Sequence, residues 1–535
     1  MTRRILDTVS IEDIAEYIEN RLLSIDLEKG VITPEDIQRV KLEVARKFSL
    51  STIPSNVDLI PYIKSKRIRD MLTLKPVRSI SGIVILAVMT SPFECPHGRC
   101  IYCPHFPDAP ISYTGKEPSA MRGINFNFDP YKQIESRIRQ LESMGHYTDK
   151  VDIVIQGGTF NKTPEWYRER FMKRLYQFFI GYYPENIEEA LRRAERSKYR
   201  IVGLAFETKP DAAKREDIDW MLEHGATRVE LGIQSIYDDV YKFVNRGHDL
   251  RDVIEATTLL KDAGFKVTYH LMPGLPRTTY IEDLQIFEKV FSSENYLPDH
   301  LKIYPTLVLE NTGLIKLWRG GLYNPLDTWD AHDLIMVSKA NYIPPWNRIM
   351  RINRDIPSTE VVAGVKFPNL RQLIHNSMRD LGLKCRCIRC REAGHRTFKD
   401  GIRIGEPELI IRKYNANGGL EFFISFEDVD NDVILGFIRL RRPSPRAWRE
   451  EIISYETYLV RELHVYGRSI PIGHGPENNS WQHRGLGKKL LEVAEELVSS
   501  LGGDKIVIIS GVGVREYYYK LGYELDGPYV SKMVK

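Results

Sequence analysis

Six cysteines fall in two tight triplets with none elsewhere, and their spacing narrows the chemistry more than any other feature. The first triplet reads Cys95-Pro-His-Gly-Arg-Cys100-Ile-Tyr-Cys103-Pro. Three thiolates on one loop can hold three irons of a [4Fe–4S] cluster and leave the fourth iron open to a small molecule. A closed structural zinc site would need a fourth protein ligand, which His97 or His105 could supply. The second triplet, Cys385-Arg-Cys387-Ile-Arg-Cys390, is followed by His395. Three thiolates and one imidazole fit tetrahedral zinc, with His375 able to replace His395 and a second redox cluster as the other possibility. Lys384, Arg386, Arg389 and Arg391 partly offset the thiolate charge there. A third constellation lies near the C-terminus, where Gln482-His-Arg-Gly485-Leu486-Gly487 follows Glu462-Leu463-His464-Val465-Tyr-Gly467 and precedes a helical run from Lys488. A strand, a glycine turn and a helix N-terminus make an anion cradle, because bare amides point outward and the helix dipole adds positive potential. A phosphate-free turn is the plain alternative.

The elements that must hold these groups follow from apolar periodicity. Residues 1–75 read as helical: Ile11, Ile14, Ala15, Ile18 and Leu22 share one face, and Thr33, Pro34 and Asp36 open a second helix. From 80 to 305, unbroken apolar runs at 83–89, 151–156, 201–206, 228–233, 267–272 and 301–304 alternate with helical patterns. Such alternation predicts an α/β fold with a parallel sheet, curved into a partial (β/α)6 TIM-like barrel, with ligands at the C-terminal strand ends. Residues 306–400 read as irregular. Residues 401–535 read as α+β, with strands near 409–413, 420–427, 433–441, 459–467 and 505–510 and one strong helix at 486–500. The domain boundaries expected are 1–75 (helical, binding RNA), 76–365 (barrel), 366–400 (zinc-binding linker) and 401–535.

Composition limits the classes. Hydrophobic residues are 42% and charged residues 28%, a globular balance. Six cysteines in 535 residues do not make a disulfide scaffold. No apolar run reaches the length of a membrane-spanning helix and the N-terminus lacks a signal-peptide core, so no membrane partner and a cytoplasmic location are expected. The net charge of +4 is uninformative, but Lys64, Lys66, Arg67, Arg69, Lys75 and Arg78 face only Asp70 between positions 64 and 78. That stretch reads either as a phosphate-contacting patch or as a solvated surface.

The first triplet, following the first strand, resembles the radical S-adenosylmethionine (SAM) superfamily, although C-x4-C-x2-C departs from its usual C-x3-C-x2-C. Gln156-Gly157-Gly158-Thr159 ends the second strand where that superfamily carries a glycine turn for SAM. Glu207-Thr208, Glu230 with Gln234-Ser235, and His270 through Pro276 share the same edge. The C-terminal pattern, continued by Lys505–Ser510 and Tyr517-Tyr518-Tyr519, resembles the GNAT acetyltransferases, whose turn holds coenzyme A.

The two in one chain, in this order, resemble the Elongator catalytic-subunit family in its archaeal form, as do Ser119–Arg122, Asn245–His248, Lys302–Thr306 and Gly511–Gly513. The resemblance implies an acyltransferase-class radical SAM enzyme that carboxymethylates the wobble uridine of tRNA at carbon 5. Acetyl-CoA would be the carboxymethyl source, and a SAM-derived 5′-deoxyadenosyl radical would do the difficult step. Cys95, Cys100 and Cys103 would hold the cluster. Lys150 would be catalytic and contact acetyl-CoA from the barrel. Glu462, Leu463, His464, Val465, Gln482, Gly485, Leu486, Gly487, Lys488 and Tyr518 would bind it from the other domain, with Tyr517 and Tyr518 at the thioester. The partner implied is the tRNA anticodon loop, with Arg348, Arg351 and Arg354 as further candidate contacts and with Elongator-like subunits or none. A rival reading is a protein lysine N-acetyltransferase whose iron–sulfur domain is structural.

Overall fold

The computed structural model describes residues 9–467 and 485–534. They divide into two compact units. The first comprises the chain up to Ile80 together with Glu135–Thr148. Its helix Ile11–Lys29 starts at Ser10 and its helix Pro34–Lys47 at Thr33, each with a reciprocal capping box, and Pro34 occupies the first turn, where a missing N–H costs nothing. Ile14, Ile18, Leu22, Val40, Val44, Leu59, Ile60 and Leu72 form a dry core. Each such side chain contributes about 1.5–3 kcal/mol on burial.

The second unit, Ser81–Ile134 with Asp149 to the C-terminus, contains two seven-stranded sheets. The first sheet is built from β1 (Val84–Met89), β2 (Lys150–Gln156), β3 (Arg200–Thr208), β4 (Arg228–Gln234), β5 (Lys266–Leu271) and β6 (His300–Ile303), each within two residues of its expected bounds at either end. After the short β7 (Val308–Leu309) comes β8 (Arg348–Ile352), a seventh parallel strand that joins β6. All neighbours are parallel in the order β1-β2-β3-β4-β5-β6-β8, with helices in the crossovers, the half-barrel expected plus one strand. β9 (Val361–Ala363) pairs with β7 in a separate ribbon. Helices Leu370–Asp380, Ile388–Arg391 and Ala393–Asp400 replace the irregular segment expected before position 400.

The second sheet contains β10 (Glu408–Ala416), β11 (Gly419–Asp428), β12 (Val433–Arg442), β13 (Thr457–Val465), β14 (Lys505–Ile508), β15 (Glu524–Asp526) and β16 (Tyr529–Met533), in the order β10-β11-β12-β13-β14-β16-β15. Only β13 and β14 pair in parallel. Helix Leu486–Ser500 packs Leu490, Leu491, Ala494 and Val498 onto this sheet. The sheet meets the barrel through buried charge. Arg441 bonds Asp262 at 2.6 Å and Glu421 at 3.0 Å; Arg461 bonds Asp299 at 2.6 Å and Glu421 at 3.0 Å; Arg439 bonds Glu462 at 2.8 Å. All three guanidinium groups are fully buried. Among the described residues no helix is long and apolar enough to cross a membrane.

Candidate active sites

The C-terminal ends of the parallel strands open on a cavity of about 120 Å³ lined by Cys95, Cys100 and Cys103. The loop carrying them is fixed by its neighbours. Cys103 N–H donates to the Cys100 carbonyl, Ile101 N–H to the Val244 carbonyl and Leu314 N–H to the Ile101 carbonyl. Arg246, buried, brings Nη1 to 3.7 Å from Cys100 Sγ, and His97 Nε2 lies 3.3 Å from the same sulfur. A buried cation beside thiols offsets the charge they gain on ligating iron. Burial, with Lys209 and Arg246 nearby, pushes His97 down to about 4, so it is neutral. His105 is turned to Arg99 at 3.0 Å. Among the described residues, the sulfurs of the second triplet lie within 4.8 Å of one another and those of the first do not. One ion draws its ligands close and a multi-iron cluster holds them apart, so the donor set fits a cluster at Cys95, Cys100 and Cys103 and a single ion at Cys385, Cys387 and Cys390.

The floor of the cavity is the barrel lumen, and it is polar. Glu230 is fully buried; Lys302 Nζ donates to it and His270 Nε2 lies 3.1 Å away. Burial alone would raise Glu230, but Lys302 and His270 outweigh it and hold the carboxyl well below its usual range. Glu207 accepts from Tyr113 Oη at 3.0 Å and Gln156 Nε2 at 3.3 Å. Glu207, Glu230 and His270 come close enough to share a cation, yet the Lys302 ammonium already fills that role. Arg351 and Arg354 also line the cavity. Arg348 does not: it is paired with Glu392 and with Tyr466 Oη at 3.0 Å, inside the unit, which removes it from the candidate RNA contacts. The glycine turn after β2 is required by space and angle. Gly157 has φ +134°, and a Cβ there would lie 2.1 Å from Thr90 Oγ1.

In the second sheet, β13 pairs with β14 only over Thr457–Val460, after which the strands part. From Arg461 on, β13 has no register partner in β14, and two parallel strands that part in this way can take an extended ligand between them. Glu462 and His464 alternate toward the barrel: Glu462 is tied to Arg439, with His300 at 3.5 Å, and His464 Nε2 lies 3.1 Å from the Ser81 carbonyl. Leu463 and Val465 point the other way, so a ligand on this edge meets backbone and apolar side chains, not the carboxylate and imidazole. Helix Leu486–Ser500 begins at Gly485, φ +81°. A Cβ on Gly487 would lie 3.1 Å from Tyr517 Oη and 3.7 Å from Val465 Cγ2, so strand edge, helix N-terminus and Tyr517 converge. Lys488 is exposed in the first turn, and Leu486 is buried. Burial pushes Tyr517 up to about 12, keeping it a hydrogen-bond donor. Tyr518 is core, its ring 5.2 Å from Tyr517 and 5.9 Å from Tyr523. Gln482 lies outside the described residues.

Lys150 opens β2 opposite Arg200 of β3, and burial lowers its amine. Segment Gly511–Val514 packs on that end of β3: a Cβ on Gly511 would lie 2.3 Å from the Val202 carbonyl and one on Gly513 2.7 Å from Ile201 N. Lys150 thus lies one strand from where the C-terminal domain meets the barrel. At the second triplet, His375 Nε2 lies 3.8 Å from Cys390 Sγ, and burial and Lys339 push this imidazole down to about 3, the neutral form that ligates metals. His395, expected as the fourth ligand, turns Nε2 onto Glu392 Oε1 at 3.0 Å. In the first unit, Arg67 is paired with Asp26 at 2.5 Å and Arg69 lies over the Tyr147 ring, while Lys64, Lys75 and Arg78 are exposed.

Sequence reasoning named Asn245–His248 and Lys302–Thr306 only as marks of the resemblance and gave Arg246 and Lys302 no role, while Tyr517 was expected at the thioester. Lys302 had a signal, a charge inside an apolar strand; Arg246 had none beyond its place in Asn245–His248. Comparison with known proteins agrees with this arrangement. The Radical SAM superfamily matches residues 91–290, its C-terminal domain 298–380, and the ELP3 N-terminal domain 12–80. A radical SAM domain implies a [4Fe–4S] cluster and SAM. The tRNA uridine(34) acetyltransferase of Methanocaldococcus infernus is 44% identical over 97% of this chain and 99% of its own length. Elongator complex protein 3 of Schizosaccharomyces pombe is 44% identical over 93% of this chain and 94% of its own. The solved structure of the archaeal Methanocaldococcus infernus Elp3 with an N-terminal deletion superposes with a TM-score of 0.76 at 43% identity, covering 85% of this chain and all of that one. The chain therefore belongs to the family that unites the tRNA uridine(34) acetyltransferases with Elongator complex protein 3.

Proposed function

We propose that the chain carboxymethylates carbon 5 of the wobble uridine of tRNA in the cytoplasm, taking the two carbons from acetyl-CoA. The observation that carries this reading is the presence, in one compact unit, of a cysteine-lined cavity at parallel-strand ends and a parted strand pair facing a helix N-terminus. The names of the relatives, tRNA uridine(34) acetyltransferase and Elongator complex protein 3, agree with it.

Cys95, Cys100 and Cys103 would hold the cluster, which would supply the single electron that reductive SAM cleavage needs and so the hydrogen-abstracting chemistry. The acetyl methyl would give up one hydrogen and bond to uracil C5, C5 would lose its hydrogen as a proton with one electron returned to the cluster, and hydrolysis of the thioester would release coenzyme A and leave the carboxymethyl group. Neither carbon yields readily to acid–base catalysis, so the residues here orient and shield. Glu230, Lys302, His270 and Glu207 provide a fixed polar floor for the uracil and nucleoside. The backbone of Glu462–Val465 and the amides of Gly485–Lys488 would carry the pantetheine and pyrophosphate, and Tyr517 Oη would donate to the thioester oxygen. Lys150 would contact acetyl-CoA from the barrel side. Zinc at Cys385, Cys387, Cys390 and His375 would pin the segment 366–400 between the barrel domain, 76–365, and the acetyl-CoA domain, 401–535. The helical region 1–75 would bind tRNA.

The test is anaerobic reconstitution with SAM, acetyl-CoA, reductant and tRNA, read by nucleoside mass spectrometry. Carboxymethyluridine should form and should vanish in Cys103→Ala. Unmodified uridine alongside acetylated peptide lysines would overturn the reading in favour of a protein acetyltransferase.

A further inference from the structure

Beside the second cysteine triplet lies a separate cavity of about 1000 Å³, walled by seven lysine and arginine side chains against three carboxylates. Two of those carboxylates are engaged: Asp432 by Arg391 at 2.5 Å and Asp400 by Arg396 at 2.6 Å. Three thiolates with one divalent cation carry a single net negative charge, so the wall keeps a positive surplus even when the metal is counted. Lys339 is only 1% exposed and its Nζ has no hydrogen-bond partner; Arg371 Nη1 is likewise buried and unsatisfied. Buried donors left unsatisfied are costly, and an anion entering the cavity offers them an acceptor. Arg379 and Lys399 line the same cavity and are exposed.

We propose that this groove docks consecutive backbone phosphates of the RNA substrate, an inference that rests on the tRNA reading above and adds a contact surface away from the cysteine-lined cavity. The cations come from separate elements: Lys339 from helix Thr328–Asn341, Arg371 and Arg379 from helix Leu370–Asp380, and Lys399 from helix Ala393–Asp400. The cavity is far larger than one small anion and its cations are supplied by three helices, which suits a polymer that carries a charge at each step. A flat lipid surface could meet the exposed cations but not buried Lys339. The groove contributes position rather than sequence choice, as phosphate contacts do.

The experiment uses the full, metal-loaded chain and fluorescently labelled tRNA, with affinity read by anisotropy between about 50 and 200 mM salt. The pair Arg379→Glu and Lys399→Glu should weaken tRNA binding at least about tenfold and lower the slope of log affinity against log salt by about two, since each phosphate contact contributes nearly one. Zinc content and tRNA-independent SAM cleavage should stay at the parent level. If charge reversal disturbs the zinc, the milder pair Arg379→Gln and Lys399→Gln decides by the same slope. A parent that binds and modifies tRNA while both pairs keep its affinity and slope overturns the groove alone. Displacement of tRNA by inorganic phosphate at submillimolar concentration also overturns it, because the site is then a small-anion pocket. A parent that binds no tRNA removes the groove and the tRNA reading together.

Discussion

Glu230 shows what a single residue can fix in this molecule. Its carboxylate lies in a lumen that barrels of this kind usually fill with branched apolar side chains, and it stays ionised there because Lys302 and His270 meet it. Removing one partner leaves a buried charge uncompensated. Lys302→Met should therefore lose about 3–5 kcal/mol of stability in denaturant unfolding. The double variant Lys302→Met with Glu230→Gln should recover most of that loss. A single-variant cost below about 1 kcal/mol would mean the lumen is wet and the pair screened. The neighbouring tyrosines separate in the same way. Tyr517 Oη reaches the start of helix Leu486–Ser500, whereas Tyr518 is core. Tyr517→Phe should slow carboxymethyl transfer by about 10²-fold with SAM cleavage intact, and Tyr518→Phe should change it far less. Equal effects would contradict the assignment of the thioester donor to Tyr517.

At the scale of elements, the sequence reading found the first six barrel strands and the strands of the second sheet from β10 to β14, and it missed β8. The six strands from β1 to β6 and helix Leu486–Ser500 were legible because period and caps agree with tertiary packing. β8 was not, since Arg348 and Arg351 interrupt its apolar pattern. They belong there because Glu392 answers Arg348 and Tyr304 and Asp355 surround Arg351. No periodicity reveals a partner that distant in sequence. The same holds for His375 and His395: spacing makes both candidates, and the packing of helix Leu370–Asp380, which sets His375 Nε2 3.8 Å from Cys390 Sγ, has no signal in the sequence.

Two predictions belong at this scale as well. Gly487→Glu places a charged side chain against Tyr517 at the helix N-terminus and should abolish acetyl-CoA binding, read by calorimetry, while SAM cleavage continues; joint loss would contradict separate sites. The second concerns Glu427 on β11, which anchors Arg391 of the segment carrying the second cysteine triplet and Arg412 of β10. Burial raises its carboxyl, but Arg412 and Arg391 outweigh this and lower it to about 2, against about 4.3 unfolded. A depressed folded value means the stabilisation, about 3 kcal/mol, is complete above about pH 5 and is lost as pH falls toward 2. Glu427→Gln should flatten the acid limb of the stability–pH curve by that amount; an unchanged limb would show that other carboxylates dominate it.

At the scale of the whole second unit, the question is whether two catalytic domains move or stand fixed. Arg441, Arg461 and Arg439 link Asp262 and Asp299 of the barrel with Glu421 and Glu462 of the second sheet, with Lys261 and His300 at the margins. Surface pairs of this kind would permit sliding, because water replaces each bond as it breaks. Fully buried pairs do not: parting the domains exposes several charges at once, each losing partners with the same step. The network therefore favours a single rigid arrangement, which suits the proposed reaction, in which the radical would meet an acetyl group bound by the second sheet's domain. It follows that weakening the network should unfold both domains together. Asp299→Asn strips the charge from a carboxylate that Arg461 and Arg439 share, and should cost about 3–5 kcal/mol. Calorimetry should show one transition for this unit moved to lower temperature, with SAM cleavage and acetyl-CoA binding lost over the same interval. Two separated transitions, with SAM cleavage outlasting acetyl-CoA binding, would show instead that the barrel and the second sheet are independent and that their approach is made by motion rather than by the buried arginines.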